Sequence, residues 1–89
     1  MTIRCEIVSQ DKSVFEGDAD VVIIPTKQGQ LSILPGHAPL LAMLDLGLIT
    51  VRKDDQEEVF TVTGGFLEVQ PDIITILADA SESVDDIDV

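Results

Sequence analysis

Short apolar segments separated by turn residues run along the chain, and most of them alternate with a period of two. In residues 2–8, Ile3, Cys5 and Ile7 share one face and charged side chains lie between them, which predicts a half-buried strand. Further strands are predicted over residues 13–16, 19–24, 31–34, 40–44, 48–52, 57–62, 66–69 and 73–77. Gly17 is expected to break the second strand, and Pro25 is expected to end the third.

About nine or ten short strands at this spacing are typical of an all-β sandwich or flattened barrel. No segment has a convincing helical period. The 89 residues allow a single domain. We expect that domain to span residues 1–85 and to be followed by an acidic stub at 86–89, with the chain from Ala80 onward frayed.

Residues 31–41 contain a rigid bend between two apolar stretches. Pro35 and Gly36 suit the second and third positions of a type II turn over residues 34–37. The next proline, Pro39, pushes Ala38 toward extended geometry. The bend is therefore expected to present His37 and Ala38 at the surface.

The net charge of the chain limits the classes of partner that it can bind. The formal net charge is −12, and five acids but no base lie in the last eleven residues. Phosphate backbones and anionic lipid surfaces repel such a chain, so nucleic-acid binding is not expected. The most apolar region, residues 38–51, is interrupted by Pro39, Asp45 and Gly47 and falls short of the about 20 apolar residues of a spanning helix. Direct membrane insertion is therefore not expected.

Candidate chemistry is sparse. One histidine and one cysteine do not make a metal site or an intrachain disulfide, and neither a nucleophile elbow nor a phosphate-binding loop motif is present. We therefore expect no catalytic site, metal or cofactor. For His37, three interpretations stay open: a metal ligand or base, a structural turn residue, and a contact to a partner. Gly64-Gly65 suggests a bulge or tight crossing more than a phosphate site, because no helix pattern follows it.

Several segments together resemble one family. They are Leu34-Pro35-Gly36-His37-Ala38-Pro39-Leu40-Leu41, Pro25-Thr26 with Gly29, Thr63 to Val69, and Thr75 to Asp79. In this order and spacing they are similar to the epsilon subunit of F-type ATP synthases, over most of residues 1–85. The resemblance implies a ten-stranded sandwich that is not an enzyme by itself. It implies a rotor subunit of the central stalk that couples proton-driven rotation to ATP synthesis, peripheral to an energy-transducing membrane on its cytoplasmic face.

The resemblance also suggests contact surfaces. Contacts to the gamma subunit are expected at Ser9, Gln10, His37, Ala38, Leu40 and Leu41, with a core position as the alternative for the two leucines. Contacts to the c-ring are expected at Lys27, Gln28, Gly29, Gln30 and Leu31. Structural turn positions are expected at Pro35, Gly36, Pro39, Gly64 and Gly65. The family often has an acid in place of Gln30 and glycine in place of Ser32.

Two further expectations complete the interpretation. Many members of the family continue into a helical pair after Asp-Ile-Asp, and in some an adjoining arginine cluster binds ATP. Those arginines are missing here, so no nucleotide binding is expected. The alternative function is a lipoyl- or biotinyl-type carrier domain modified at Lys12, because Asp11-Lys12-Ser13 faintly resembles the tip that carries such a lysine.

Overall fold

The computed structural model describes residues 1–84. Nine strands follow one another in that part of the chain, and it contains no α-helix. The strands are β1 Ile3–Ser9, β2 Lys12–Ala19, β3 Val21–Thr26, β4 Gly29–Ile33, β5 Leu40–Leu44, β6 Gly47–Lys53, β7 Gln56–Val62, β8 Gly65–Val69 and β9 Ile73–Ala78. The prediction of an all-β single domain is confirmed. The placing of a stub at 86–89 lies outside the described residues.

The strands form one curled sheet in the order β2-β1-β9-β8-β5-β3-β6-β7, and β4 pairs with β3 beside this path. β1 and β9 are parallel, and every other pair is antiparallel. The sheet closes on itself, since Phe15 of β2 and Phe60 of β7 lie at opposite ends of the path and their ring centroids are 5.3 Å apart. The two halves therefore face each other as a sandwich.

The core between the halves is aliphatic apart from the buried ring of Phe60, against which Phe15 packs. Along β1, Ile3, Cys5, Ile7 and Ser9 are buried and the residues between them are half-buried, which is the predicted period of two. Burial in this core raises the pKa of the Cys5 thiol to about 12, with a smaller contribution from Glu6. The thiol is therefore protonated at neutral pH and does not act as a nucleophile.

Two predicted strand boundaries are wrong. Gly17 does not break β2, because it pairs with Cys5 and the ring of Phe15 covers the space beside it, 3.1 Å from where a Cβ would be. Pro25 does not end β3. It lies where β3 changes neighbours on one side, from β6 at Ile23 to β5 at Thr26, so its missing N–H interrupts no ladder hydrogen bond.

The expectation that the chain frays from Ala80 is also wrong for residues 80–83. Thr63 N donates to Ala80 O at 3.2 Å, and Thr61 N donates to Glu82 O at 2.8 Å. A bridge between Phe60 and Ser83 continues this pairing. The segment covers the outer edge of β7, whose backbone groups would otherwise lack partners in the described chain.

Because strands that are consecutive along the chain run in opposite directions, the turns gather at two opposite ends of the sandwich. One end, here called the Lys27 end, holds the turns at residues 10–11, 27–28, 45–46, 63–64 and 79–80. The other, here called the His37 end, holds residue 20 and the turns at residues 34–39, 54–55 and 70–72.

Candidate interaction surface

The β3–β4 turn at the Lys27 end is held in one conformation by its own side chains. The Thr26 hydroxyl accepts from Gln28 N at 3.2 Å and donates to Gly29 O at 2.5 Å. Lys27 N donates to Met43 O at 2.9 Å, which ties the turn to β5. Gly29 has a φ of +117°, which favours glycine. The turn is therefore a preformed feature of the surface.

Asp45 joins this turn to the next one at the same end. Its backbone N donates to Pro25 O at 3.0 Å, and its carboxylate accepts from Leu46 N at 2.9 Å and from Lys27 Nζ at 3.3 Å. These contacts lower the pKa of Asp45, first through the Leu46 N–H and then through Lys27. The β3–β4 and β5–β6 turns thus present a single connected edge.

A row of exposed apolar side chains borders these turns. Met43, Phe66 and Leu77 lie opposite one another on β5, β8 and β9, and they are 55%, 60% and 51% exposed. Leu41, two residues from Met43, is 77% exposed. With Lys27 and Gln28, the side chains of β5 and Phe66 line an open groove of about 350 Å³. Contiguous apolar surface of this kind marks an interaction site.

The Gly64-Gly65 pair allows β8 to start close to β9. Both residues have positive φ, at 141° and 127°. A Cβ on Gly65 would lie 2.0 Å from Leu77 O and 2.9 Å from the Cα of Ala78. This close approach is the tight crossing that the sequence suggests. The amide of Asp79 donates to Gly64 O at 2.9 Å and closes the turn.

The Pro35-Gly36 bend forms at the His37 end with the geometry of the predicted type II turn. Gly36 has a φ of 83°, and His37 N donates to Leu34 O at 3.2 Å. Gly36 N also donates to Pro71 O at 3.0 Å, which fixes the bend against the β8–β9 turn. Ala38 is exposed and His37 is half-buried, with its Nδ1 donating to Ala38 O at 2.7 Å.

Within residues 1–84 no three histidine, cysteine or acidic side chains come together as metal ligands would. Nor does the described part contain a helix long and apolar enough to cross a membrane. The interpretation of His37 as a metal ligand therefore gains no support from its surroundings. Its hydrogen bond to Ala38 favours a turn residue that also borders the surface.

Residues 2–84 match the model of the beta-sandwich domain of the ATP synthase delta/epsilon chain. The chain belongs to this family. It is 48% identical over 88 residues to the ATP synthase epsilon chain of Alkalihalophilus pseudofirmus and 44% identical over 87 residues to that of Bacillus subtilis. These alignments take in 99% and 98% of this chain and 66% of each relative. The chain thus spans just under two thirds of the length of these relatives.

Solved structures share the fold. A chain of the mitochondrial ATP synthase of Euglena gracilis, from a structure of OSCP/F1/c-ring, superposes with a TM-score of 0.89 at 21% identity, covering 98% of this chain and 56% of that one. A chain from the central stalk/c-ring structure of Tetrahymena thermophila ATP synthase has a TM-score of 0.75 at 17% identity, covering 91% of this chain and 66% of that one. Both likenesses support the sandwich architecture of this family.

The expected c-ring contacts lie together. All five residues, Lys27 to Leu31, belong to the β3–β4 hairpin at the Lys27 end. Gly29 and Gln30 are exposed, and Leu31 is half-buried against the core. The hairpin tip consists of Lys27 and Gln28, and Gln30 lies within β4.

The expected gamma contacts do not form one cluster. Gln10 lies at the Lys27 end, whereas His37 and Ala38 lie at the His37 end. Ser9 is buried, and its hydroxyl donates to Asp79 O at 3.4 Å. The two leucines differ: Leu41 is exposed, and Leu40 packs partly against the core.

Sequence reasoning missed Met43, Phe66 and Leu77 as surface residues. The signal was present in residues 40–44, which are apolar on both faces of a strand. One face fills the core, and the other remains uncovered in the isolated chain. The hairpin register that aligns Met43 with Phe66 and Leu77 arises from tertiary pairing, and the local pattern does not contain it.

The position of Lys12 argues against the alternative function as a carrier domain. Lys12 pairs with Ser9 as the first residue of β2, and the tip of that hairpin is Gln10-Asp11. A lysine inside the ladder lacks the tip position of a swinging arm. We do not retain a carrier function.

Proposed function

We propose that this chain is a non-catalytic rotor subunit of the central stalk of an F-type ATP synthase, binding gamma and the c-ring. The observation that carries this proposal is the exposed row of Leu41, Met43, Phe66 and Leu77 beside a rigid polar hairpin. The relatives are named ATP synthase epsilon chains, and the structural neighbours come from complexes that contain a central stalk or c-ring. Association with the membrane then occurs through the complex.

The two kinds of surface suit two kinds of partner. The β3–β4 hairpin offers the ammonium of Lys27 and the amide groups of Gln28 and Gln30, which can hydrogen-bond to polar loops of a c-ring. The apolar row offers the kind of centre that a permanent interface with gamma needs. Leu31 supports the hairpin from within.

The remaining proposed contacts extend the gamma surface. Gln10 lies at the Lys27 end in the turn after β1, and the hydroxyl of buried Ser9 beside it donates to Asp79 O. His37 and Ala38 contact gamma at the other end, and Leu40 anchors β5, the strand that follows them. A surface with contacts at both ends fits a partner that lies along the sandwich.

The sandwich is suited to passing torque between two partners. Two turns of the Lys27 end, β3–β4 and β5–β6, are joined by the bonds from Lys27 N to Met43 O and from Asp45 N to Pro25 O, and the bend at the His37 end is bonded to Pro71. Load applied to the hairpin therefore reaches the rest of the sheet through hydrogen bonds as well as the chain. No enzymatic step is needed for this role.

Binding to purified partners tests the function. The chain is mixed at micromolar concentration with gamma alone and with the c-ring alone, both from the same organism, and each mixture is analysed by gel filtration. We expect a complex in both. For the hairpin, Lys27→Ala with Gln28→Ala should weaken the c-ring complex much more than the gamma complex, whereas the control Lys53→Ala should change neither. Failure of the unaltered chain to bind either partner would overturn the proposal.

A further inference from the structure

Three strands of the described sheet pair on one side only, and two of their edges are protected. β2 carries Lys12, Glu16 and Asp18, and charged side chains discourage the addition of another strand. β7 carries two glutamates, and residues 80–83 cover its edge. The third such strand, β4, has the sequence GQLSI with neither charge nor proline, and within residues 1–84 nothing but β3 pairs with it.

The register shows which backbone groups of β4 point away from β3. Pro25 lies opposite Gln30, and the Pro25 carbonyl accepts from Asp45 N on the side of β3 remote from β4. The Pro25–Gln30 pair is therefore a non-hydrogen-bonded pair. Antiparallel pairs alternate, so the Ile23–Ser32 pair is one as well. The N–H and C=O groups of Gln30 and Ser32 consequently point to the open edge.

We propose that this edge of β4 binds an extended backbone segment of gamma by strand addition, opposite Gln30 and Ser32. This inference rests on the proposed function. Strand addition needs an exposed row of alternating donors and acceptors, which Gln30 and Ser32 supply. Their side chains are exposed, so an incoming strand meets no covering group.

The position of β4 indicates gamma as the partner, because this strand leads directly into the bend that holds the proposed gamma contacts His37 and Ala38. β4 begins at Gly29, directly after the hairpin tip at the Lys27 end. Its last residue, Ile33, is followed directly by Leu34, the first residue of the Pro35-Gly36 bend at the His37 end. A gamma segment paired along β4 therefore continues directly to the gamma contacts proposed at His37 and Ala38. A second copy of this chain is a poor occupant, since each copy has a formal charge of −12.

Amide hydrogen exchange tests the pairing directly. In the ¹⁵N-labelled free chain, the Gln30 and Ser32 amides should exchange rapidly, and those of Leu31 and Ile33, which face β3, should be protected. Binding of gamma should slow exchange at Gln30 and Ser32 by more than about tenfold and leave the alternating neighbours protected as before. If gamma binds and these two amides still exchange rapidly, the strand-addition proposal is wrong and the rotor function stands.

A pair of variants separates backbone from side chain. Ser32→Pro removes the outward N–H without removing a bond to β3, and its ring obstructs an added strand, so affinity for gamma should fall by at least about tenfold. Ser32→Ala keeps the N–H and should bind as the unaltered chain does. Equal binding by both variants would overturn the proposal. Thermal unfolding checks whether Ser32→Pro is folded. If that variant does not fold, the hydrogen-exchange experiment on the unaltered chain tests the proposal instead.

Sedimentation of the free chain tests whether a second copy of this chain binds at the edge of β4. It should remain a monomer at the concentrations used for exchange. A dimer that protects Gln30 and Ser32 in the absence of gamma would assign the edge to a second copy, contrary to the proposal. No complex with gamma at all would remove the proposed function together with this inference.

Discussion

The two ends of the sandwich differ in both surface and backbone. The Lys27 end borders the exposed apolar row and includes Leu46, which is 73% exposed. The His37 end carries the exposed acids Asp54, Asp55 and Asp72, against Asp11 and Asp79 at the Lys27 end, and its large exposed apolar side chains in the described chain are Met1 and Leu34. Uncovered apolar surface is costly in water, whereas carboxylates are well solvated there. The contrast indicates that the Lys27 end is mainly a docking end.

The largest expected difference between the two ends is in how much an added Cβ lowers the free energy of unfolding. Gly65→Ala, at the Lys27 end, would place its Cβ 2.0 Å from Leu77 O at a φ of 127°. It should lower the free energy of unfolding by about 4 kcal/mol or more, or prevent folding. The matched change at the His37 end, Gly36→Ala, meets no atom within 4 Å and suffers only from its φ of 83°. It should cost about 1–2 kcal/mol.

Urea unfolding followed by circular dichroism measures both variants. Similar losses in the two would show that the ends are packed alike and that the close approach of β8 to β9 at Gly65 is not a constraint.

The apolar surface gives the next largest effect, on binding. Phe66→Ser removes a ring that is 60% exposed, so the free energy of unfolding should change by no more than about 1 kcal/mol. Affinity for gamma should fall by at least about tenfold, since aromatic side chains near the centre of an interface dominate its energy. Leu34→Ser removes a residue of similar exposure, 56%, from the other end and should change affinity little. Titration calorimetry with gamma compares them.

A larger loss of gamma affinity in Leu34→Ser than in Phe66→Ser would reverse the assignment of the docking end.

The sequence contains much of the fold and less of the surface. Alternation along residues 2–8 predicts a strand because inward side chains must be apolar, and the short apolar run at 40–44, bounded by Pro39 and Asp45, predicts another. The Pro35-Gly36 bend is predictable because φ preferences of those residues act locally. Gly17 and Pro25 misled because their effects depend on neighbours: the ring of Phe15 covers the first, and a change of strand partner accommodates the second.

The site illustrates the same limit. Of the residues expected to contact the c-ring, Lys27 and Gln28 form the tip of the β3–β4 hairpin, and Gly29, Gln30 and Leu31 belong to β4. Whether Leu41 belongs to the core or the surface depends on which face of β5 meets the other half of the sheet. The row of Met43, Phe66 and Leu77 depends on the registers of three strands, which long-range packing decides. The pairing of residues 80–83 with β7 has no local pattern at all.

Strain in the turns offers a smaller difference between the ends. At the Lys27 end, Gln10 and Asp11 have φ values of 52° and 65°, as in a type I′ hairpin turn. Glutamine rarely adopts this conformation, so Gln10→Gly should raise the free energy of unfolding by about 0.5 kcal/mol after the added flexibility of the unfolded chain is included. At the His37 end, Asp54→Gly should gain less, because aspartate tolerates a φ of 55° better.

Thermal unfolding of Gln10→Gly and Asp54→Gly at neutral pH compares them. A lower melting temperature for Gln10→Gly would show that the Gln10 side chain stabilises the turn by more than its backbone strain costs.

The smallest effect concerns the ion pair that joins the turns of the Lys27 end. The pKa of Asp45 lies below its ordinary value of 3.8, so the carboxylate form is favoured in the folded chain. The stability that this contributes is therefore present above pH 3.8 and lost as the pH falls through the lower folded pKa. Lys27→Gln should raise the pKa of Asp45 only part of the way, because the Leu46 N–H is the larger cause and remains.

An NMR titration of the Asp45 carboxyl carbon in the two chains measures this shift, with Lys53→Gln as the control from the other end. That control should leave the Asp45 titration unchanged, since Lys53 lies at the His37 end. If Lys27→Gln also leaves it unchanged, the ammonium does not interact with the carboxylate in solution. The hydrogen bonds from Lys27 N to Met43 O and from Asp45 N to Pro25 O would then hold the docking edge by backbone alone. In that case the edge would keep its shape at high salt, since screening weakens exposed ion pairs far more than backbone hydrogen bonds.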